Sequence, residues 1–373
     1  MLELAQQALA RLSLHPLYGG GFWVAMTQLT VFYYIAGAIL HFVVPRFVSV
    51  KNIQVQSRKQ GEVQRDAIYS LGKPGCLKIS LLAVTVHHAT ITNSPSLRVF
   101  SCYPTLLPEL PPHSPPPQLI AAIITATNTP EARGLSIRTF PTLPPSLPPP
   151  LLYHYHTTLW NFFFPLLLPS PTTGPLAVKA AVWTVVEQLH SRGWGLTYGG
   201  PVRGLPQLAY CLLCVCLLDF LHDGWFYWTH RLLHWGPLYR HVHYIHHKSK
   251  APSAFTGYSF HLAEALLVFA NEVLVCWLLP LHMGLHRTYH LLTTLIHEGG
   301  HAGYELAPFI PTLEGLITLL LRGVRPCAAL NTVQHHDLHH RYPTRHFSLY
   351  FTHWDRWCGS LHPAYYKDLF SYF

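Results

Sequence analysis

Three groups of histidines have the residue types and spacing of metal ligands. His230 and His234 form HxxxH; His243, His246 and His247 form HxxHH; His336, His339 and His340 repeat the HxxHH. On an α-helix, at 3.6 residues per turn, positions i, i+3 and i+4 share one face and can close on one ion. A histidine met alone is more often a packing or surface residue than a ligand. Three such groups within 111 residues are not a packing pattern. The chain holds 28 histidines against 25 lysines and arginines, and 20 of the histidines lie at or after His222. Eight imidazoles exceed the needs of one four-coordinate zinc and suit two metal ions, each with room left for substrate or oxygen. Imidazole serves iron, zinc, copper and nickel, so residue type leaves the metal open.

The elements that carry these residues belong in or on a membrane. Half of the 373 residues are hydrophobic, only 11% are charged, and the mean hydropathy is +0.20. A soluble domain carries about 25% charged residues, so a plain cytosolic enzyme is excluded, and the 13% aromatic content excludes disorder. The net charge of +9 is scattered rather than gathered on a nucleic-acid module and fits loops beside a bilayer. Gly21–Val44 has no Asp, Glu, Lys or Arg and is long enough to cross a ~30 Å hydrocarbon core. The residues before Pro16 lack the basic start of a cleavable signal, so this span is expected to stay as an anchor. Arg46, Lys51, Arg58, Lys59 and Arg65 then place the following loop in the cytosol.

Lys73–Gly174 is different material, holding 19 of the 32 prolines and only two acidic residues, Glu109 and Glu131. It is expected to lie outside the fold, as translated non-coding sequence (a retained intron) or as a disordered linker. Deleting it joins Ala67–Gly72 to Pro175–Leu189 as one apolar helix that crosses outward, and Leu208–Leu221 crosses back. The histidine-rich region then faces the cytosol. Leu262–Leu281 and His286–His297 form a hairpin that crosses or dips into the bilayer, and Thr312–Leu321 suits an interfacial or packing helix. Cys211, Cys214 and Cys216 sit in the apolar run as small packing residues with no disulfide assigned. The expected organisation is residues 1–72 as membrane segment and basic loop, 73–174 as insert, 175–222 as membrane helices and 223–373 as catalytic domain. The fold class is all-α, a polytopic membrane protein with a cytosol-facing helical domain carrying a histidine-ligated dimetal site.

With its surroundings, this pattern resembles the fatty acid hydroxylase and sterol desaturase superfamily over about Leu208 to Pro363. Asp223–His234 (DGWFYWTHRLLH), Ser259-Phe260-His261 followed by Glu264-Ala265, His301-Ala302-Gly303-Tyr304-Glu305 and Tyr350–Ser360 (YFTHWDRWCGS) are similar to that family's motifs. The resemblance implies an enzyme of the endoplasmic-reticulum membrane with two iron ions on the cytosolic side. Oxygen would be its oxidant, and electrons would come from NAD(P)H through cytochrome b5 and its reductase. Carried over residue by residue, the ligands are His230, His234, His243, His246, His247, His336, His339 and His340, joined by His261 and His301. His297 and His335 stand as further ligands or as partners of ligands. Glu264, Asp337 and Asp355 are candidates to orient ligand imidazoles through their second N–H.

The family commonly has Pro after Phe-His, where this chain has Leu262. Phe351–Arg356 with Gly359-Ser360 leans towards C-5 sterol desaturases. Lys250-Ala251-Pro252 and His335–His340 lean towards C-4 methylsterol oxidases, and fatty-acid or sphingolipid hydroxylation is a third alternative. Two rivals of other classes remain. His297-Glu298-Gly299-Gly300-His301 is formally the HExxH of a zinc protease, but its glycines weaken the helix it needs and it leaves the three boxes unexplained. A metal transporter would want ionisable residues along the spans, whereas the boxes follow a span and sit among Arg231, Arg240, Lys248 and Lys250.

Overall fold

The computed structural model describes residues 21–72, 174–307, 309–363 and 365–366. All of these belong to one compact unit. Most of the insert expected at 73–174 lies outside the described residues.

The architecture is helical. Helix α1 (Gly21–Ala38) continues through a π turn at Ile39–Val43 and a last turn at Val44–Phe47. Together Gly21–Phe47 span 27 residues, and α4 (Gly204–Leu233) spans 30; both are long and apolar enough to cross a membrane. Their outer faces carry apolar rows: Val31 and Ile35 on α1, Ile39 and Phe42 on the π turn after it, and Leu212, Leu213, Leu217 and Phe220 on α4 point away from the core. Exposed apolar rows on long helices are what lipid stabilises and water does not. These helices are consistent with a helical membrane protein.

Helix α3 (Pro175–Ser191) is the central rod, packed against α1 on one side and α6 (Leu262–Leu278) on the other. Eleven of its residues are buried, among them Lys179 and Trp183. The Lys179 ammonium lies 2.6 Å from Glu272 of α6, and the Trp183 indole N–H donates to the same carboxylate at 2.8 Å. A charge at this depth is tolerated because it is paired; removing one partner would strand the other. Helix α7 (Met283–Gly300) packs beside α1 and meets α6 where the His286 Nε2 lies 2.8 Å from the Glu272 carbonyl. His282 caps it by accepting the N–H groups of Gly284 and Leu285.

Helix α2 (Glu62–Leu71) ends at Gly72, whose φ of 111° is open only to glycine without strain. Pro175 opens α3, and Gly174 just before it lies directly on the end of α2: a Cβ there would fall 2.2 Å from the Leu71 carbonyl carbon. The two ends that flank the insert therefore meet. In the full chain they are the ends of two separate helices, α2 and α3; the single helix is expected of a chain without the insert.

The remaining elements surround the histidines. At 1.5 Å per residue α4 is ~45 Å long, enough to cross a ~30 Å core and still carry His230 in its last turn. After it come α5 (Gly236–His241), a 3-10 helix at His243–Lys248 and a 3-10 turn at Ala254–Thr256. Strand β1 (Lys51–Asn52) pairs antiparallel with β2 (Tyr304–Glu305), tying the loop after α1 to the residues that follow His301. Helices α8 (Leu313–Arg322), α9 (Val333–Arg341) and α10 (His353–Trp357) follow. Cys211, Cys214 and Cys216 are free thiols on α4.

Candidate metal centre

Nine histidines converge in two groups. His230, His234, His243, His247 and His339 form one; His246, His301, His336 and His340 form the other. Within each group the ligand atoms lie within 4.8 Å of one another. The boxes do not each serve one ion. His243–Lys248 is a 3-10 helix rather than the α-helix that the spacing suggests, and its histidines divide, His243 and His247 standing in the first group and His246 in the second. On α9, His336 and His340 share a face and join the second group, while His339 turns to the first. Both histidines of the HxxxH go to the first group, and His301 completes the second.

The outer nitrogens show which ring atoms are free to bind a metal. The Nδ1 of His230 faces the carbonyl of Phe347 at 3.0 Å, that of His339 the carbonyl of Arg345 at 2.7 Å, that of His340 the carbonyl of Ser249 at 3.0 Å and that of His301 the carbonyl of His297 at 2.6 Å. His243 Nδ1 lies 2.8 Å from the Glu264 carboxylate. A carbonyl can only accept, so these Nδ1 atoms carry the proton and each Nε2 of a neutral ring is a lone pair. Those lone pairs face each other. His339 Nε2 is 3.0 Å from His247 Nε2 and 3.1 Å from His234 Nε2, and His247 Nε2 is 3.1 Å from His243 Nε2. In the second group His301 Nε2 lies 2.8 Å from His336 and 3.2 Å from His246.

Protonation does not relieve this crowding. Burial pushes the His243 imidazole down to about 3, and burial with neighbouring imidazoles holds His246, His247, His336, His339 and His340 well below the ordinary histidine range. Neutral rings with converging ring nitrogens have the donor set to hold a metal cation in each group. Beside the groups lies a cavity of about 20 Å³, lined by His230 and His243 of one group, His246, His301 and His336 of the other, and the apolar Phe226, Phe260 and Val268. It has room for about one water-sized molecule.

The other candidates are placed elsewhere. His261 caps α6, its Nδ1 accepting from Ala263 N at 3.1 Å, and it joins neither group. His297 lies one turn before His301 and lines the small cavity without joining a group. With Glu298 turned towards Gly37 of α1, the HExxH residues do not assemble as a protease site. His335 Nε2 lies 3.2 Å from Asp355, and Asp337 pairs with Arg341 at 2.8 Å rather than with an imidazole. Glu264 does hold one of the grouped imidazoles, that of His243. Asp355 acts one step removed: it accepts the N–H groups of Phe347 and Ser348 and the hydroxyls of Ser348 and Ser360, fixing the loop whose carbonyl receives His230. Although burial opposes it, His335 and the two serines hold the Asp355 carboxyl below its usual range.

Two supports went unread in the sequence. Asp66 on α2 is 1% exposed and accepts the hydroxyls of Ser249, Thr256 and Ser259 at 2.7, 2.7 and 3.0 Å, fixing the loop whose Ser249 carbonyl receives His340. Asp223 on α4 accepts the N–H groups of Leu349 and Tyr350 at 2.8 and 2.7 Å, holding the loop behind His230. The available signal was scarcity: with only 16 acidic residues in the chain, one inside an apolar helix needs a partner.

Comparison with known proteins decides the family. A family model described as fatty acid hydroxylase matches residues 215–360. Lathosterol oxidase of Mus musculus is 30% identical over 237 residues, 57% of this chain and 72% of that protein. The chain belongs to the fatty acid hydroxylase family. It is thereby placed among oxidoreductases, and its relatives include several that act on sterols. A C-4 methylsterol oxidase of Schizosaccharomyces pombe is 31% identical over 159 residues, 40% of this chain and 47% of that protein. A cholesterol 25-hydroxylase-like protein of Danio rerio is 31% identical over 189 residues, 50% of this chain and 66% of that one. The chain thus spans about half the length of the methylsterol oxidase and more of the other two. No solved structure matches it.

Proposed function

We propose that this chain is a di-iron membrane oxidase of sterols, with C-5 desaturation as its first assignment. The observation that carries the reading is the pair of histidine groups with their Nε2 atoms turned inward, five of the nine rings having their Nδ1 held by a carbonyl or carboxylate outside the group. The sterol class is supported by the relatives, and a lathosterol oxidase aligns with more of this chain than the methylsterol oxidase does. The motif Phe351–Arg356 with Gly359-Ser360 favours the desaturase over C-4 methyl oxidation or hydroxylation.

Iron, when bound in the two groups, would supply the reduction of dioxygen and the attack on an unactivated C–H bond. The chain supplies the rest. Glu264 and the carbonyls of Phe347, Arg345, Ser249 and His297 hold five imidazoles in one tautomer and orientation. Phe226, Phe260 and Val268 line the small cavity with apolar surface and keep it nearly dry. Removing two hydrogens from the sterol, with dioxygen, two electrons and two protons, leaves a double bond and two waters; inserting one oxygen instead leaves an alcohol and one water. The electrons would come from NAD(P)H through cytochrome b5, and the site would face the cytosol from the endoplasmic-reticulum membrane.

The test is expression of the full chain in cells lacking sterol C-5 desaturase, with sterols read by mass spectrometry. A new C5–C6 double bond, lost in His246→Ala, is expected. Protein present in membranes with metal bound but no such product would overturn the C-5 assignment. A new alcohol or a lost C-4 methyl group would then identify the reaction.

A further inference from the structure

Residues 51–58 lie between the first membrane helix and α2, outside the stretch that the family model matches. They run as a strap across two distant parts of the chain. Strand β1 pairs with β2, the Ile53 N–H donates to the Gly303 carbonyl at 3.2 Å, and the Gln54 amide donates to the Pro252 carbonyl at 2.6 Å. Gly303 has a φ of 85°, and a Cβ there would fall 2.5 Å from the Gln54 side chain, so the close approach needs glycine. The Tyr304 hydroxyl donates to the Leu40 carbonyl at 2.5 Å, which ties β2 back to the π turn of the first membrane helix.

Arg58 closes the strap. Its Nε donates to the carbonyls of Ala251 and Pro252 at 3.2 and 3.1 Å, and its Nη2 to those of Pro252 and Ala302 at 2.8 and 3.0 Å. Ala251 and Ala302 are both buried. A charged donor makes stronger hydrogen bonds than a neutral one, and a guanidinium fork can hold two segments at once in fixed geometry. Here both segments adjoin the second histidine group. Ala302 follows His301, and Ala251 comes two residues after Ser249, whose carbonyl receives His340. Glu305 of β2 accepts the Gln334 N–H at 2.7 Å, at the start of the helix that bears His336. The outer partners of the first group, Phe347, Arg345 and Glu264, come from other parts of the chain.

We propose that Arg58 is a positioning residue for the second metal position: by binding the carbonyls of Ala251, Pro252 and Ala302 together it keeps His301 and His340 turned to one another. Their ring centroids stand 5.3 Å apart. The proposal rests on the histidine groups as metal positions and not on the sterol assignment.

The test loads the full-length protein with ferrous iron in phosphatidylcholine nanodiscs and follows its loss to ferrozine. His339→Ala leaves the second group whole and His336→Ala leaves the first whole, so each background reports on one position. In His339→Ala, Arg58→Met should speed iron loss about tenfold, the lower end of what an outer partner contributes, while Arg58→Lys keeps it within about threefold. In His336→Ala, Arg58→Met should change the rate less than about twofold. Equal acceleration in both backgrounds would mean general loosening and would overturn the proposal, as would no change in either. Hydrogen exchange on metal-free Arg58→Met gives an answer that does not depend on loading. Exchange in 249–256 and 301–305 should rise about tenfold with α3 and α6 unchanged; unaltered exchange in those two segments would also overturn the proposal. A wild-type chain that takes up no iron would sink the metal reading itself and this proposal with it, whereas iron bound without a preference between backgrounds sinks the positioning role alone.

Discussion

Single atoms decide the candidate centre at the residue scale. Glu264 fixes the Nδ1 proton of His243, and the loss of such an outer partner typically costs 10–100-fold in metal affinity. Glu264→Leu is therefore expected to release metal to a chelator about 10–100-fold more readily. Glu264→Gln, whose amide oxygen still accepts, should lose less; equal retention by both variants would contradict the role. The eight box histidines were legible because residue type and spacing are local information. His301 was reached only through the resemblance, since nothing in its own spacing distinguishes it from His297. His261 carried the same kind of signal, yet it sits at the start of α6 with its ring spent on the helix cap.

At the scale of elements, the box histidines that the spacing singles out are brought together, with each HxxHH divided between the two groups. HxxHH reads as one face of a helix, yet both such boxes, the one on the 3-10 helix His243–Lys248 and the one on α9, divide their histidines between the two groups. The pattern i, i+3, i+4 does not distinguish the two helices. Helix α2 was read as half of a membrane span, and its work for the site was invisible because Asp66 meets Ser249, Thr256 and Ser259 across more than 180 residues of sequence. Asp66→Ala leaves three buried hydroxyls without their acceptor and should destabilise the protein by about 2–4 kcal/mol. In detergent this reads as a fall in the thermal midpoint of several degrees, with His340 loosened and metal retention reduced. An unchanged midpoint would mean that the loop holds itself. Gly37 is a second such contact: a side chain there meets Phe255 at 2.8 Å, so Gly37→Leu should push α1 from the Ala254–Thr256 turn at a cost of about 1–3 kcal/mol.

For the whole molecule, the composition placed the chain in a membrane, and the long apolar helices α1 and α4 agree. The insert read at 73–174 has a geometric counterpart in the contact of Gly174 with Leu71 and Gly72. A chain lacking Lys73–Gly174, with Gly72 joined to Pro175, is expected to fold with the same helical content and metal load as the full chain. Failure of that variant to reach the membrane would show that the insert contributes to folding. The account as a whole rests on two metal positions built from the three boxes and His301. The most direct test is the metal content of the purified full-length protein alongside His339→Ala and His336→Ala, one change in each histidine group. Two irons per chain, falling to about one in each variant, is the result predicted from the two groups. A single ion in the wild type, or two ions indifferent to both substitutions, would contradict it.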